Sequence, residues 1–329
     1  MLRVAMLSGW HVHAKEYAME LQTLDNVKLT AVWDENKQRG QLWSEELKVD
    51  FEENLHTLLQ RPDVDAVCIN TPTNLHKEVM IAAANAGKHI FTEKVMALTV
   101  EDCMEISEAV NKSGVKFCIS FPHRILPANL FAKKVADEKL IGDITLLRVR
   151  NAHDGAVANW LPTHFYDPVA CGGGAMMDLG AHPMYLSRWI LGEPAKISSM
   201  FSSYTGRAVE DNAVSVIEFK NKAIAVAETG FVSTNSPFSL ELYGTEGSLF
   251  IGGPENKVRL ISNKLNSEVP GWISPSSLPE ALPRPIVQWV NGIINNDKIH
   301  FGLEEGIQLT ELMEAAYISH KEGRAVSFK

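Results

Sequence analysis

The sequence contains no block of basic residues and no long apolar run. Its 31 lysines and arginines are scattered and outnumbered by 40 aspartates and glutamates, which gives a formal net charge of -9. A nucleic-acid partner is therefore not expected, because phosphate backbones are bound by basic surfaces. A membrane partner is not expected either, since a spanning helix needs about 20 consecutive apolar residues.

Cysteine is also scarce, and none of it forms a C-x-x-C pair. Of the four, Cys68 and Cys118 lie in apolar runs that are typical of buried strands. Free thiols of this kind suit a reducing compartment. The first seven residues are too short and too lightly charged for a signal peptide. Together these features predict a cytoplasmic protein.

The 329 residues are 45% apolar and 22% charged, values typical of a globular protein, and the length predicts two domains. Up to residue 120, short apolar runs alternate with helical patterns, which predicts an α/β Rossmann domain over residues 1–122. Hairpin signals after residue 144 predict an α+β domain over residues 123–329, with a large, mostly antiparallel open sheet. Helices are expected near 286–295 and 304–321, and a loop over 263–285.

The glycine fingerprint of dinucleotide binding is largely missing. The first strand is followed by Ser8-Gly9-Trp10-His11-Val12-His13 in place of G-x-G-x-x-G. The strand–turn–helix order still predicts that backbone amides here hold a pyrophosphate, with contacts from Ser8, Gly9, Trp10, His11 and Val12. A plain structural turn is the alternative.

Two further features of this region bear on the cofactor. Asp34 lies at the tip of the second strand, 25 positions after Gly9, where a carboxylate binds the adenosine ribose and repels a 2′-phosphate. NAD is therefore expected, with NADP disfavoured. His11 and His13 could instead ligate a metal ion, but no further ligand is obviously paired with them in the sequence, so no metal is expected.

The segment 172–182, Gly-Gly-Gly-Ala-Met-Met-Asp-Leu-Gly-Ala-His, carries an acid–base pair. Three glycines allow close backbone approach. If a helix starts near Asp178, then Asp178 and His182 share one helix face and can hold and move a proton. A helix cap and a buried core histidine are the structural alternatives. Lys94 follows a strand end, where doubly wound sheets bind ligands. We expect Lys94, Asp178 and His182 to meet in a cleft between the domains.

Segments 71–76, 86–94 and 172–182 resemble the Gfo/Idh/MocA family, the glucose–fructose oxidoreductase and inositol dehydrogenase group, and the resemblance covers essentially the whole chain. It implies hydride transfer between NAD(H) and a hydroxyl or carbonyl carbon of a sugar, sugar acid or cyclitol. Lys94 matches the lysine beside the nicotinamide and the reacting oxygen. Asp178 and His182 match the pair that binds substrate and transfers the proton. Further cofactor contacts are expected from Thr71, Pro72, Asn74, His76, Glu93 and Lys94.

The sequence departs from that family at the phosphate loop and at two other places. Val95 replaces the proline after Glu93-Lys94, and Tyr185 stands where an aspartate often follows the histidine. Further substrate contacts are expected from Arg124, His153, His164 and Tyr166. Two other functions stay open: NAD-using glycoside cleavage, and a non-catalytic regulator that binds cofactor or sugar. A homo-dimer or homo-tetramer is expected through an exposed sheet face.

Overall fold

The computed structural model describes residues 1–265 and 271–328, so the loop expected over 263–285 lies partly outside the described residues. The chain divides into two compact units. The first contains Met1–Phe121 and Pro283–Thr310, and the second contains Pro122–Leu282 and Glu311–Lys329. A segment near the C-terminus is thus part of the first unit. Among the described helices, none has the length and apolar character needed to cross a bilayer.

The first unit is built on a parallel sheet. Its strands are β1 (Leu2–Leu7), β2 (Val27–Trp33), β3 (Asp50–Phe51), β4 (Ala66–Ile69), β5 (His89–Thr92) and β6 (Phe117–Ile119). Its helices up to residue 121 are α1 (Ala14–Gln22), α2 (Lys37–Leu47), α3 (Leu55–Gln60), α4 (His76–Asn85) and α5 (Val100–Ser113). The spatial order is β3-β2-β1-β4-β5-β6, and all the pairs are parallel. This is the Rossmann order, whose switch point lies between β1 and β4.

Local sequence explains most of these elements. Strand β4 is buried throughout, as expected for a parallel strand covered on both faces. Asn36, Asn54 and Thr99 cap α2, α3 and α5 by accepting hydrogen bonds from amides of the first turn. The predicted Rossmann architecture is confirmed. The stretch 35–64 received no prediction, and it contains α2, whose buried residues are only Gly40, Trp43 and Ser44.

The second unit is built on an eight-stranded sheet. Its strands are β7 (Ile144–Ala152), β8 (Pro194–Ser202), β9 (Asn212–Phe219), β10 (Ile224–Gly230), β11 (Ser239–Gly244), β12 (Gly247–Gly252), β13 (Lys257–Ser262) and β14 (Val326–Ser327). The helices beyond residue 121 are α6 (Pro127–Asp137), α7 (Pro168–Cys171), α8 (Ala175–Asp178), α9 (Ala181–Leu191), α10 (Pro285–Ile294, in the first unit) and α11 (Leu303–Glu322). The order is β13-β12-β11-β7-β10-β9-β8-β14.

This sheet is mostly antiparallel, as predicted, with one parallel pair between β7 and β10 at its centre. Strand β9 alternates strictly between exposed and buried residues, so one face of the sheet is packed and the other is open. The open face carries the exposed apolar side chains of Met200, Val214 and Val216. Arg148 and Arg150 pair there with Glu228.

Candidate active site

The turn between β1 and α1 keeps its shape without the missing glycines. Ser8 adopts a φ of 71°, the left-handed conformation usually left to glycine. Five loop amides are engaged within the protein. The Ser8 amide donates to the Trp33 carbonyl, and those of Gly9, Trp10, His11 and His13 donate to Asp34, the Ser8 hydroxyl, the Asn70 carbonyl and His11 Nδ1. The Trp10 side chain is buried. Most amides of this turn are therefore already bonded within the protein, including that of Ala14 at the start of α1, which donates to the His11 carbonyl at 3.0 Å.

Asp34 is held by the protein on both carboxylate oxygens. Oδ2 accepts from the Gly9 amide at 2.8 Å and from Arg39 Nε at 2.8 Å. Oδ1 accepts from the Asn36 amide at 2.8 Å and from Arg39 Nη2 at 2.6 Å. The same guanidinium pairs with Glu35. The ribose end of the expected cofactor site is thus a cluster of two carboxylates and one guanidinium.

Glu93 is the centre of a buried hydrogen-bond network below this turn. His13 Nδ1 lies 3.0 Å from its Oε1, and the Tyr17 hydroxyl donates to the same oxygen. Oε2 accepts from the Lys94 amide at 3.1 Å. Burial alone would raise the pKa of Glu93, but the charges of His11 and His13 and the hydrogen bond from His13 hold that pKa well below its usual range. The network therefore fixes an ionised carboxylate beneath the loop.

The same residues could also hold a metal ion. His11, His13 and Glu93 each offer one ligand atom, and these atoms lie within 4.8 Å of one another. The premise that no acidic ligand accompanies the two histidines is therefore wrong, because Glu93, the residue after β5, lies beside His13 although 80 residues separate them in the sequence. The oxygens of Glu93 already accept the bonds described above, and His11 Nδ1 accepts the His13 amide at 3.2 Å. Hydrogen bonding accounts for the cluster without an ion.

Lys94 lies two residues after the end of β5, and its exposed fraction of 6% shows that it is not an ordinary surface lysine. Its peptide bond to Val95 is cis. His76, at the start of α4, is buried, and its ring nitrogens lie 2.8 Å from the Val95 carbonyl and 3.2 Å from that of Thr71. It thereby ties the segment after β5 to the segment after β4, where Pro72 and Asn74 also lie.

In the second unit, two of the three glycines lie close to Tyr317 and to the backbone of Glu210. A methyl group on Gly173 would come within 1.9 Å of the Tyr317 hydroxyl, and one on Gly174 within 2.0 Å of the Glu210 carbonyl. Glu210 Oε1 accepts from the Gly174 amide at 2.9 Å, the Met176 amide at 3.0 Å and the Tyr317 hydroxyl at 2.6 Å. The glycines let this carboxylate approach the backbone and fix the start of α8.

The expectation that Asp178 and His182 share the face of one helix is wrong. Asp178 is the last residue of α8, and His182 is the second residue of α9. Gly180 separates the two helices, and a methyl group there would meet the Met176 sulfur at 2.4 Å. Pro183 is the signal that was missed, because proline is tolerated in the first turn of a helix and not in its interior.

His182 is a buried histidine with a tyrosine partner. Its Nδ1 lies 2.8 Å from the hydroxyl of Tyr185, one turn further along α9. The same hydroxyl oxygen accepts the backbone amide of His123 at 3.1 Å. The ring of His123 lies 4.5 Å from that of His182, centroid to centroid. Nδ1 of His182 is thus hydrogen-bonded to Tyr185, and the imidazole ring packs against His123.

The Asp178 carboxylate acts electrostatically on His153. Burial lowers the pKa of His153, and the Asp178 carboxylate opposes that shift. The His153 ring stacks on Phe231 with 5.0 Å between centroids, and its Nδ1 accepts the Gly155 amide at 3.0 Å. Asp178 and His153 are therefore near neighbours within this unit, although 25 residues separate them.

The other expected substrate residues are spread more widely. Arg124 lies over the ring of Trp189 at 5.0 Å. Tyr166 packs on the small core around Phe165 and Phe231, beneath the guanidinium of Arg207 at 4.1 Å. The His164 carbonyl accepts the Cys171 thiol.

The fold and these sites define an oxidoreductase with a dinucleotide-binding unit and a second unit that carries a buried histidine. The family model for the NAD-binding Rossmann fold of an oxidoreductase family matches residues 3–121, and that for the GFO/IDH/MocA C-terminal domain matches residues 130–250. The chain belongs to the Gfo/Idh/MocA family of NAD-binding oxidoreductases, which confirms the resemblance.

Three relatives illustrate the range of the family. The chain is 32% identical over 257 residues, 74% of its length and 70% of the relative's, to scyllo-inositol 2-dehydrogenase (NAD(+)) of Bacillus subtilis. It is 29% identical over 233 residues, 69% of its length and 61% of the relative's, to 2,7-anhydro-N-acetylneuraminate hydratase of Mediterraneibacter gnavus. A levoglucosan dehydrogenase complex with NADH and L-sorbose matches all of this chain and 99% of its own with a TM-score of 0.87, at 21% identity.

Sequence reasoning missed three residues that shape the two sites: Tyr17, Glu210 and Tyr317. Each acts through a partner more than 70 residues away. The ion pair between Arg39 and Asp34 was also not predicted.

Proposed function

We propose that the substrate is a small polyhydroxylated molecule, either a sugar, a sugar acid or a cyclitol, oxidised or reduced at one CH–OH carbon. The name of the Bacillus subtilis relative, an NAD(+)-dependent inositol dehydrogenase, supports this class. The observation that carries the proposal is the buried His182, hydrogen-bonded at Nδ1 and positioned in the first turn of α9. A titratable group held in this way can exchange a proton with a substrate oxygen.

NAD, when bound, would supply the nicotinamide that accepts or returns the hydride. Its phosphates would be held at the turn between β1 and α1, where Val12 lies, and its ribose by the cluster around Asp34. The remaining assignments concern the chain's own side chains. His182 serves as general acid/base. Asp178 orients the His182 ring or balances the charge of that ring, and the Lys94 ammonium polarises the reacting oxygen. Arg124, His153, His164 and Tyr166 are proposed substrate contacts. Cofactor contacts are proposed for Ser8, Gly9, Trp10, His11, Thr71, Pro72, Asn74, His76 and Glu93.

A redox-neutral reaction is the second candidate. The family includes the Mediterraneibacter gnavus hydratase, whose name describes no net oxidation. Glycoside cleavage through transient oxidation belongs to the same class. Net accumulation of NADH separates this candidate from a dehydrogenase. The buried Lys94 and His182 favour either enzyme over a non-catalytic regulator.

The protein is further proposed to form a homo-dimer or homo-tetramer in the cytoplasm. The open face of the second sheet, with Met200, Val214 and Val216 exposed, supports self-association. Four free, buried cysteines are consistent with a reducing compartment.

The test is a panel of inositols, sugars and sugar acids, incubated with NAD and with NADP and followed at the nicotinamide absorbance. Parallel product analysis detects a change without net absorbance. Turnover of a member of the panel with NADH formation supports the proposal. Product formation with no net NADH would favour the redox-neutral candidate, and no product in either assay would contradict both.

A further inference from the structure

Tyr185 is the residue whose hydroxyl contacts His182 Nδ1, at 2.8 Å. The two rings meet edge to face, with centroids 5.5 Å apart and an angle of 81° between their planes. Both side chains are buried, His182 at 6% exposure and Tyr185 at 3%. An aspartate could only accept a hydrogen bond from Nδ1, whereas a phenol can also donate one. The residue at position 185 therefore decides which ring nitrogen of neutral His182 carries the proton.

The direction of this hydrogen bond follows from the second partner of the tyrosine. The His123 backbone amide can only donate, so the Tyr185 oxygen accepts that bond at 3.1 Å. Accepting a bond polarises the phenolic O–H and makes it a stronger donor. An imidazole nitrogen lone pair is also a better acceptor than a phenol oxygen, because the imidazole is far more basic than the phenol. The O–H of Tyr185 therefore points at Nδ1.

We propose that Tyr185 is a positioning residue that donates its hydroxyl proton to a hydrogen bond with His182 Nδ1, and thereby keeps the proton of neutral His182 on Nε2. A carboxylate at position 185 would stabilise the opposite tautomer, with the proton on Nδ1 and a basic lone pair on Nε2. In this chain, the Nε2–H group of neutral His182 would donate a hydrogen bond to a substrate oxygen that lies beside it. That state suits the carbonyl form of the substrate, whose oxygen gains negative charge as hydride arrives.

The tautomer belongs to the folded chain alone, so it can be tested without substrate. The catalytic consequence rests on the proposed function, and the tautomer does not. Nitrogen NMR of the full chain labelled with ¹⁵N-histidine reports which ring nitrogen carries the proton. His182→Gln identifies the signals of His182 by their loss.

The expected wild-type result is a protonated Nε2 and an unprotonated Nδ1 whose shift is displaced by an accepted hydrogen bond. Tyr185→Phe should return the Nδ1 signal to the position of an imidazole nitrogen without a bonded proton donor. Tyr243→Phe is the matched control, because it removes a hydroxyl that bonds to Glu241 in the same sheet domain. It should leave the His182 signals unchanged.

A wild-type spectrum with the proton on Nδ1 would overturn the proposal, as would an Nδ1 signal that Tyr185→Phe does not move. The wild-type spectrum decides the tautomer even if Tyr185→Phe fails to fold. Failure to find any NAD-linked activity in the substrate panel would remove the catalytic consequence and leave the tautomer standing, so the two failures are distinguishable.

Discussion

Arg39 forms a two-point ion pair with Asp34, through Nε to Oδ2 at 2.8 Å and Nη2 to Oδ1 at 2.6 Å. Paired planar contacts of this kind are strong and directional. The Asp34 carboxylate also accepts two backbone amides, so the protein itself uses both of its oxygens. A ribose hydroxyl that binds here must share Asp34 with Arg39. Arg39 also pairs with Glu35, so the cluster contains two carboxylates and only one cation.

The first prediction is that the protein binds NAD more tightly than NADP. The excess negative charge at Asp34 and Glu35 repels a 2′-phosphate, and Arg39 partly offsets that repulsion. Asp34→Ala should therefore narrow the gap between the two dissociation constants, and Arg39→Ala should widen it. Calorimetric titration of both cofactors measures the gap. Lys28→Ala, an exposed change on β2, is the control. Equal or tighter binding of NADP by the wild-type protein would contradict the prediction.

Much of the fold could be predicted from local patterns. Strand β2 has the predicted bounds, Val27 to Trp33, because an apolar run ends there at Asp34. The alternation of strand and helix predicted the parallel sheet, and the hairpin turns predicted the antiparallel one. Helix α2 was not predicted, because glycine and serine occupy two of its three buried positions and the helix therefore has no apolar stripe.

The sites were harder to predict, because their contacts join distant parts of the chain. Tyr17 and Glu93 are 76 residues apart, and Glu210 reaches Tyr317 across 107 residues. A spacing rule finds neighbours on one helix and cannot find such pairs. The same rule misassigned Asp178 and His182 to one helix face, because it took no account of Gly180 and Pro183 between and beside them.

The second prediction concerns proton transfer by His182. His182→Gln keeps much of the shape of the side chain and removes its titration, so turnover should fall by roughly two to four orders of magnitude while NAD binding is retained. Lys94→Ala should cause a comparable loss, and the double variant should not be additive if both groups act on one oxygen. The exposed His56→Gln serves as control. Near-normal turnover by His182→Gln would show that another group moves the proton.

The third prediction is that the protein needs no metal ion. The oxygens of Glu93 accept from His13, Tyr17 and the Lys94 amide, and an ion at this cluster would have to displace those donors. Purified protein should therefore contain less than one equivalent of transition metal by elemental analysis. A chelator should change neither NAD affinity nor turnover. Stoichiometric zinc that is lost on Glu93→Gln would refute the prediction.

The fourth prediction is a loss of stability in mild acid through His76. Burial lowers the pKa of His76 in the folded chain, against the opposing hydrogen bonds to the Val95 and Thr71 carbonyls. Below the unfolded pKa of about 6.5, the unfolded chain binds a proton that the folded chain does not, so the free energy of unfolding falls as pH decreases. The slope from one such group is at most about 1.4 kcal/mol per pH unit.

Denaturant titrations between pH 7.5 and pH 5 would measure that slope. His76→Asn removes the titrating ring and should reduce the pH dependence, whatever its effect on absolute stability. His56→Gln should keep the wild-type slope, because His56 is exposed. An unchanged slope in His76→Asn would mean that His76 is protonated equally in both states.

The last prediction is that packing requires a glycine at position 174. A methyl group at Gly174 would lie 2.0 Å from the Glu210 carbonyl, a backbone atom that cannot move aside easily. At Gly173 the nearest atom is the Tyr317 hydroxyl, the end of a side chain that can shift. Gly174→Ala should therefore cost more than Gly173→Ala, in the upper part of the range of about 1–3 kcal/mol typical of overpacking.

Thermal unfolding should show this difference as a lower Tm for Gly174→Ala, by several degrees for a domain of this size. Gly302→Ala is the matched control, since a methyl group there meets nothing closer than 3.8 Å. Because the Gly174 amide donates to Glu210 at the start of α8, the variant should also disturb Asp178, which ends that helix. The pKa of His153 should then change, because the Asp178 carboxylate acts on it. A Gly174→Ala protein with the wild-type Tm and an unaltered His153 titration would show that the turn tolerates a side chain.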